Sequence, residues 1–243
     1  MAQWYKSDYR RFREERKALA SACPLMMLVV AEPNFRLNSA SSLRQESAVA
    51  HGTYLLRAPD SEREIDYQIA FVLPRNYPRA APIMFCNDPK LPIGNIERHI
   101  MSDGMACLGV QADIGTRWRT KPTIVEFLEN LVAPFLAWQV YFDIYATPPP
   151  WGARSHYKVG ILEHYAEIAG MSAQRSLMDF IRLLARKNPP KGHELCPCGS
   201  GEPLRRCHRG LLQEVRRSIA WEDAAADLKF LLGPDNVKQL TRY

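Results

Sequence analysis

Apolar and polar positions alternate most clearly between residues 66 and 73, where Tyr67, Ile69, Phe71 and Leu73 share one side of an extended chain and Asp66, Gln68, Ala70 and Val72 the other. That period of two predicts a strand. The unbroken apolar run Leu25 to Ala31 predicts a buried strand upstream, and Val49 to Leu56, rich in Thr53, Tyr54 and Leu55, predicts a second. Pro82 to Cys86 makes a short fourth strand, since a proline at its start removes no interior ladder bond. Ala58-Pro59-Asp60-Ser61 reads as a turn by its chemistry. Ahead of the strands, residues 4 to 20 put Tyr5, Tyr9, Phe12 and Leu19 on one helical stripe, with Arg10, Arg11, Arg13, Arg16 and Lys17 over the remaining surface.

Residues 87 to 122 show no convincing period, which is long for a compact domain and points to a functional loop. Helical patterning resumes at Thr123-Ile124-Val125-Glu126, a capping box whose side chains can satisfy orphan amides at a helix start. From there Ile124, Phe127, Leu128, Leu131 and Phe135 are expected to face the sheet, and Pro134 to kink or end the helix. Pro148-Pro149-Pro150 is a stiff break, followed by helices over His156 to Ala169 and Ser172 to Lys187. Pro189-Pro190 forms a linker, and Leu211 to Leu232 is helical again. This order of elements predicts an α+β domain with a small C-terminal appendage.

With 243 residues and 47% hydrophobic content the chain can bury a real core. Of the net charge of +6, most lies in residues 171 to 243, which hold 13 Lys/Arg against 8 Asp/Glu. A solvated basic face is the favoured reading, and an acidic partner or nucleic acid the other. Neither Leu25 to Ala31 nor the Pro134-interrupted run Ala133 to Phe142 is long enough to span a bilayer, and the charged N-terminus does not resemble a signal peptide. The expected location is the cytoplasm, with no membrane partner. Six cysteines in a chain of this length, three of them closely spaced, do not form a disulfide framework. Cys23 and Cys86 sit among apolar neighbours and read as inert core thiols.

Two cysteine patterns carry chemistry. The first runs from Asn76-Tyr77-Pro78 through Pro82 and His99 to Asp103-Gly104-Met105-Ala106-Cys107-Leu108-Gly109, with Trp118 and Pro122-Thr123-Ile124 downstream. A thiol is nucleophilic enough to take a carboxyl group from another thioester and leaves well enough to pass it on. Alone, a cysteine between Gly104 and Gly109 reads as ordinary packing more readily than as a nucleophile. The wider pattern, however, resembles the ubiquitin-conjugating-enzyme family over roughly residues 1 to 170.

That resemblance implies an N-terminal helix, a four-stranded antiparallel sheet and C-terminal helices, with Cys107 as the thioester nucleophile. His99 would match the family's upstream histidine, usually structural. Asp103 would orient the incoming amine or, on the favoured reading, form an Asp-Gly turn. The chain departs from the family at His99-Ile100-Met101, where the family has His-Pro-Asn, and His99 lies only eight residues before Cys107. The oxyanion donor is therefore unassigned, backbone amides beside Cys107 or the Ser102 hydroxyl being the candidates. In the family the opening helix docks activating enzymes, a role that would fall here to Arg10, Arg13, Arg16 and Lys17.

The second pattern is Cys196-Pro-Cys198-Gly-Ser-Gly followed by Cys207-His208. Three thiolates and one imidazole are the set a closed, tetrahedral structural zinc ion prefers, and the glycines let the backbone turn beneath it. With few apolar residues between Gly192 and Gly210, metal binding would supply most of this piece's folding energy. The pattern resembles the SEC-C zinc motif, which by analogy implies a docking piece with Arg205, Arg206 and Arg209 facing a partner.

The domains expected are thus 1–170, conjugating-enzyme-like; 171–191, a helix and linker; and 192–243, zinc segment and C-terminal helix. The expected function is an acyl carrier that accepts the C-terminus of a partner protein on Cys107 and transfers it to an amine. No nucleotide-binding glycine motif is present, so a separate activating enzyme or a pre-activated substrate is required. Stand-alone bacterial relatives of this type imply a signalling nucleotidyltransferase that makes cyclic oligonucleotides as the protein modified, in antiviral defence. The rival is a non-catalytic module on the same fold that holds protein or nucleic acid through its basic tail.

Overall fold

The computed structural model describes residues 3–57, 64–150, 155 and 157–233. In chain order they form helices α1 (Trp4–Ser7) and α2 (Tyr9–Ala22), strands β1 (Met26–Ala31), β2 (Ser47–Arg57), β3 (Glu64–Leu73) and β4 (Ile83–Cys86), and helix α3 (Gln111–Arg119). Helices α4 (Ile124–Phe127), α5 (Ala133–Tyr145), α6 (Tyr157–Ala169), α7 (Gln174–Leu184), α8 (Arg209–Ser218) and α9 (Trp221–Leu232) follow. The result is mixed α+β. The turn expected at Ala58 to Ser61 lies outside the described residues. The chain divides into two compact units: residues 1–108 with 118–152, and residues 109–117 with 153–243. This division departs from the boundaries expected at 170 and 191, because the helices after residue 152 and the zinc segment share one apolar core.

In the first unit the four strands lie in sequence order, each antiparallel to the next. Their register aligns Leu28, Ala50, Phe71 and Met84 in one row across the sheet, all of them buried. Phe127 packs onto this face, its ring 5.4 Å from that of Phe71, and Ile124, Leu128, Leu131 and Phe135 are buried with it. The opposite face carries Val49 and Ala70 and is covered by Phe35, Leu37 and Leu43 of the β1–β2 connection. This second cover explains why Ala70 is buried although the alternation put it on a polar side.

Three local expectations are corrected. The opening helix breaks at Asp8, whose carboxylate caps α2 by accepting from the Arg11 amide at 3.0 Å. Tyr9 consequently leaves the apolar stripe and is 63% exposed, while Trp4 joins Tyr5, Phe12 and Leu19 inside. Pro134 does not end helical backbone. A π-helical turn at Leu128–Val132 precedes it, Pro134 sits at the start of α5, and helical backbone runs on to Tyr145. Finally, the segment 87–122 is not structureless, since it holds a 3-10 turn at Ile96–Arg98, paired segments around Ile100 and Ala106, and α3.

Glu15 ties the helices of this unit together. Its carboxylate is buried, accepts from the Ile124 amide at 2.9 Å at the start of α4 and from the Tyr77 hydroxyl, and faces Arg11 Nε at 3.5 Å. Trp118 Nε1 donates to the Pro78 carbonyl at 2.9 Å, closing the same corner. Breaking a buried charge away from its partners typically costs on the order of 3 to 5 kcal/mol. Glu15→Ala should therefore lower the urea midpoint of this unit strongly, with Glu15→Gln recovering part of the loss; a change below about 1 kcal/mol by tryptophan fluorescence would show the cluster to be dispensable.

In the second unit Tyr165, Leu177, Phe180, Ile181, Leu184, Leu212, Val215 and Leu231 form the core, into which Cys196 and Leu204 of the zinc segment also pack. The helix expected over Leu211 to Leu232 is two helices, separated at Ile219 and Ala220. Arg216 on α8 points inward and donates to the carbonyls of Leu183, Leu184 and Arg186 at 2.8 to 3.0 Å. It thereby caps the C-terminus of α7, where carbonyls lack intrahelical donors. Part of the basic surplus is thus structural.

Asp227 on α9 is buried, accepting from the Tyr165 hydroxyl at 3.0 Å and the Ala112 amide at 3.3 Å. Burial pushes its carboxyl up to about 7, against the usual range near 4. The unfolded chain therefore releases this proton at lower pH than the folded one. Its stabilising contribution is full below about pH 4 and is lost as pH rises through 7, by on the order of 4 kcal/mol. Asp227→Asn should remove that slope between pH 5 and 8 and stabilise the protein at pH 8. Parallel stability curves for the two proteins would refute the shift.

Candidate functional site

The segment that carries Cys196, Cys198, Cys207 and His208 is a short hairpin. Leu195 pairs with Pro203, the Cys196 amide donates to the Glu202 carbonyl at 2.8 Å, and the Leu204 amide returns to the Glu194 carbonyl at 2.8 Å. Gly199 and Gly201 at its tip have φ of +81° and +76°, a left-handed conformation that disfavours any side chain. A 3-10 turn at Leu204–Arg206 then brings Cys207 and His208 back beneath the tip, at the start of α8. Arg186 pairs with Glu194 and holds its carboxyl below the usual range, bracing the base of the hairpin.

The donor atoms of Cys196, Cys198, Cys207 and His208 all lie within 4.8 Å of one another. Cys198 Sγ is 3.6 Å from Cys207 Sγ, and His208 Nδ1 is 3.2 Å from Cys196 Sγ and 3.1 Å from Cys207 Sγ. A tetrahedron with zinc–sulfur bonds of about 2.3 Å has sulfur–sulfur edges of about 3.8 Å and slightly shorter sulfur–nitrogen edges. The four donors are gathered at the scale of that shell, with the quoted contacts somewhat inside its edges and every pair within 4.8 Å. The hydrogen bond between the Cys198 thiol and the Ser200 oxygen draws Cys198 down, whereas burial pushes Cys196 up. All four positions are supplied by protein, so a metal held here would cross-link the hairpin and leave no site for substrate.

In the first unit, Cys107 closes a second hairpin. Met105 bridges to Phe85, the Ala106 amide donates to the Met84 carbonyl at 2.9 Å, and Ala106 bridges on its other side to Ile100. The segment Met105–Ala106 is thus wedged beside β4, and the Cys107 amide donates to the His99 carbonyl at 2.8 Å. The thiol is half-buried, in contrast to Cys86, which is fully buried and pushed up to about 12. Burial also raises Cys23, although that residue is only half-buried, not a core thiol as its neighbours suggested.

His99 adopts a left-handed backbone at φ 57° and sets its ring edge-on to Trp138 at 5.5 Å. The Asp103 carboxylate accepts from the Met105 amide at 3.0 Å, closing the tip of the hairpin as a turn. The structure therefore joins Cys107 and His99 through the backbone and places Asp103 at the opposite end of the hairpin.

The sequence reading missed the residues that hold this hairpin. Asn38 Nδ2 and Ser41 Oγ both donate to the Asp103 carbonyl, at 3.0 and 2.8 Å. Gln139, fully buried on α5, accepts from Arg98 Nε at 2.9 Å and donates back to the Arg98 carbonyl at 2.9 Å, while Asp143 pairs with the same guanidinium. Gln139 was visible as a lone amide in an apolar helix; Asn38, in a loop rich in serine, gave no signal.

Among the described residues no helix is long and apolar enough to cross a membrane. No curated protein and no solved structure matches the chain. Residues 194–210 match the SEC-C motif, a zinc-binding motif that coincides with the four-ligand hairpin.

Proposed function

We propose that this chain is a ubiquitin-conjugating-like acyl carrier, with Cys107 as its nucleophile and the SEC-C hairpin as a zinc-stiffened docking piece. The observation that carries the reading is the placement of a half-buried thiol at the end of a hairpin wedged beside the fourth strand of an ordered antiparallel sheet. In the first step the Cys107 thiolate attacks the carbonyl carbon of a donor thioester, and the donor's own thiolate leaves. In the second an amine attacks the same carbon, the Cys107 thiolate departs, and the amine's proton is lost as the amide forms. The Leu108 amide is well placed in sequence to donate to the transient oxyanion.

A protein with a free C-terminus is the group carried, and a nucleotidyltransferase that makes cyclic oligonucleotides is the partner the reading favours. Exposed Arg205, Arg206 and Arg209 on the zinc hairpin supply a basic surface for docking. Incubation with such a partner and a charging enzyme should give an adduct on non-reducing gels that disappears with thiol reductant. Absence of a reductant-sensitive adduct with every charged donor would reject the carrier reading.

A further inference from the structure

The Cys107 hairpin is gripped at both ends by side chains from other parts of its unit. At the tip, the buried Asn38 amide donates to the Asp103 carbonyl, while its oxygen accepts from the Ala40 and Ser41 amides at 2.8 and 2.7 Å. The fit there is tight: a Cβ built on Gly104 would stand 2.1 Å from Asn38 Nδ2. Gly104 also has φ +80°, so the tip tolerates no side chain on either count. At the base, Gln139 bonds both the side chain and the carbonyl of Arg98, which immediately precedes His99, and the His99 carbonyl receives the Cys107 amide. A chain of short bonds therefore runs from Gln139 through Arg98 and His99 to the nucleophile's own backbone.

Buried amides of this kind are costly to leave unpaired, and here every polar atom of Asn38 and Gln139 is spent on the hairpin or on the turn that reaches it. We infer that Asn38 and Gln139 are positioning residues that hold the Cys107 hairpin from its two ends and so fix the thiol for acyl transfer. The inference rests on the carrier reading. Displacing a reacting group by about 1 Å can cost on the order of a hundredfold in rate, so a partial loss of either grip should be felt at the sulfur.

The test uses the full-length, zinc-loaded protein and a short peptide ending in a glycine thioester. Its transfer to Cys107 is measured by mass mapping, beside alkylation of Cys107 by iodoacetamide. Asn38→Asp keeps the oxygen that supports the turn and loses the donor to Asp103. Gln139→Glu keeps the acceptor for Arg98 and loses the donor to its carbonyl. Each should slow thioester transfer about tenfold while alkylation stays level or rises, because alkylation needs no oriented acyl group. A merely structural loosening would move both rates together.

Transfer within twofold of the parent in Asn38→Asp, or in Gln139→Glu where it folds, overturns the inference, as does a parallel change in alkylation. Should the parent's Cys107 transfer no faster than the same thiol in urea, the carrier reading itself fails.

Discussion

Removal of the metal from the Cys196, Cys198, Cys207 and His208 site should unfold the hairpin locally and weaken the second unit by several kcal/mol. Structural zinc supplies on the order of 10 to 16 kcal/mol in isolated zinc-finger peptides, where no other core exists. Here the hairpin also docks Cys196 and Leu204 into a helical core, so the loss should be smaller than in those peptides. The expected result is loss of amide hydrogen-exchange protection over residues 194–208, with α7 and α8 weakened and the sheet of the first unit unchanged. Cys207→Ala should reproduce this pattern and drop bound zinc well below one equivalent by elemental analysis. Full protection after chelation would mean that the apolar contacts suffice and the four ligands are incidental.

The second large effect concerns the nucleophile. Cys107→Ala should abolish the reductant-sensitive adduct, since no other group in the hairpin can form a thioester, while leaving the thermal midpoint close to that of the parent because the thiol is only half-buried. Cys107→Ser should form a bond that survives reductant, because an oxyester is a poorer acyl donor than a thioester. Formation should also be slower, an alcohol being far less ionised than a thiol at neutral pH. Equal adduct in the alanine variant would move the chemistry to another thiol.

Part of the fold could be read from periodicity, although the apolar run Leu25 to Ala31, expected to be buried, leaves Leu25, Met27 and Val30 exposed. Tyr67, Ile69, Phe71 and Leu73 are all buried, as their alternation predicted, and half of the expected capping box forms: the Thr123 hydroxyl accepts from the Glu126 amide at 3.3 Å, while the Thr123 amide donates to the Lys121 carbonyl. The Cys196, Cys198, Cys207 and His208 cluster was equally legible, since a closed zinc shell requires specific residue types at short spacing and the hairpin needs only local turns to assemble them. What escaped was long-range. Glu15 meets Ile124 across 109 residues, and Gln139 meets Arg98 across 41. Such pairings depend on how helices settle on the sheet, which no local pattern encodes. The helical backbone through Pro134 escaped as well: a π turn at Leu128–Val132 precedes the proline, an irregularity that local propensity does not predict.

The most direct measurement is intact-mass and peptide-mass mapping of the adduct formed with a charged donor protein. The carrier account predicts a single added mass equal to the donor less one water, located on the peptide containing Cys107 and released by hydroxylamine. An adduct mapped to Cys23 or Cys198, or a donor that leaves Cys107 unmodified while its own thioester is consumed, would contradict it.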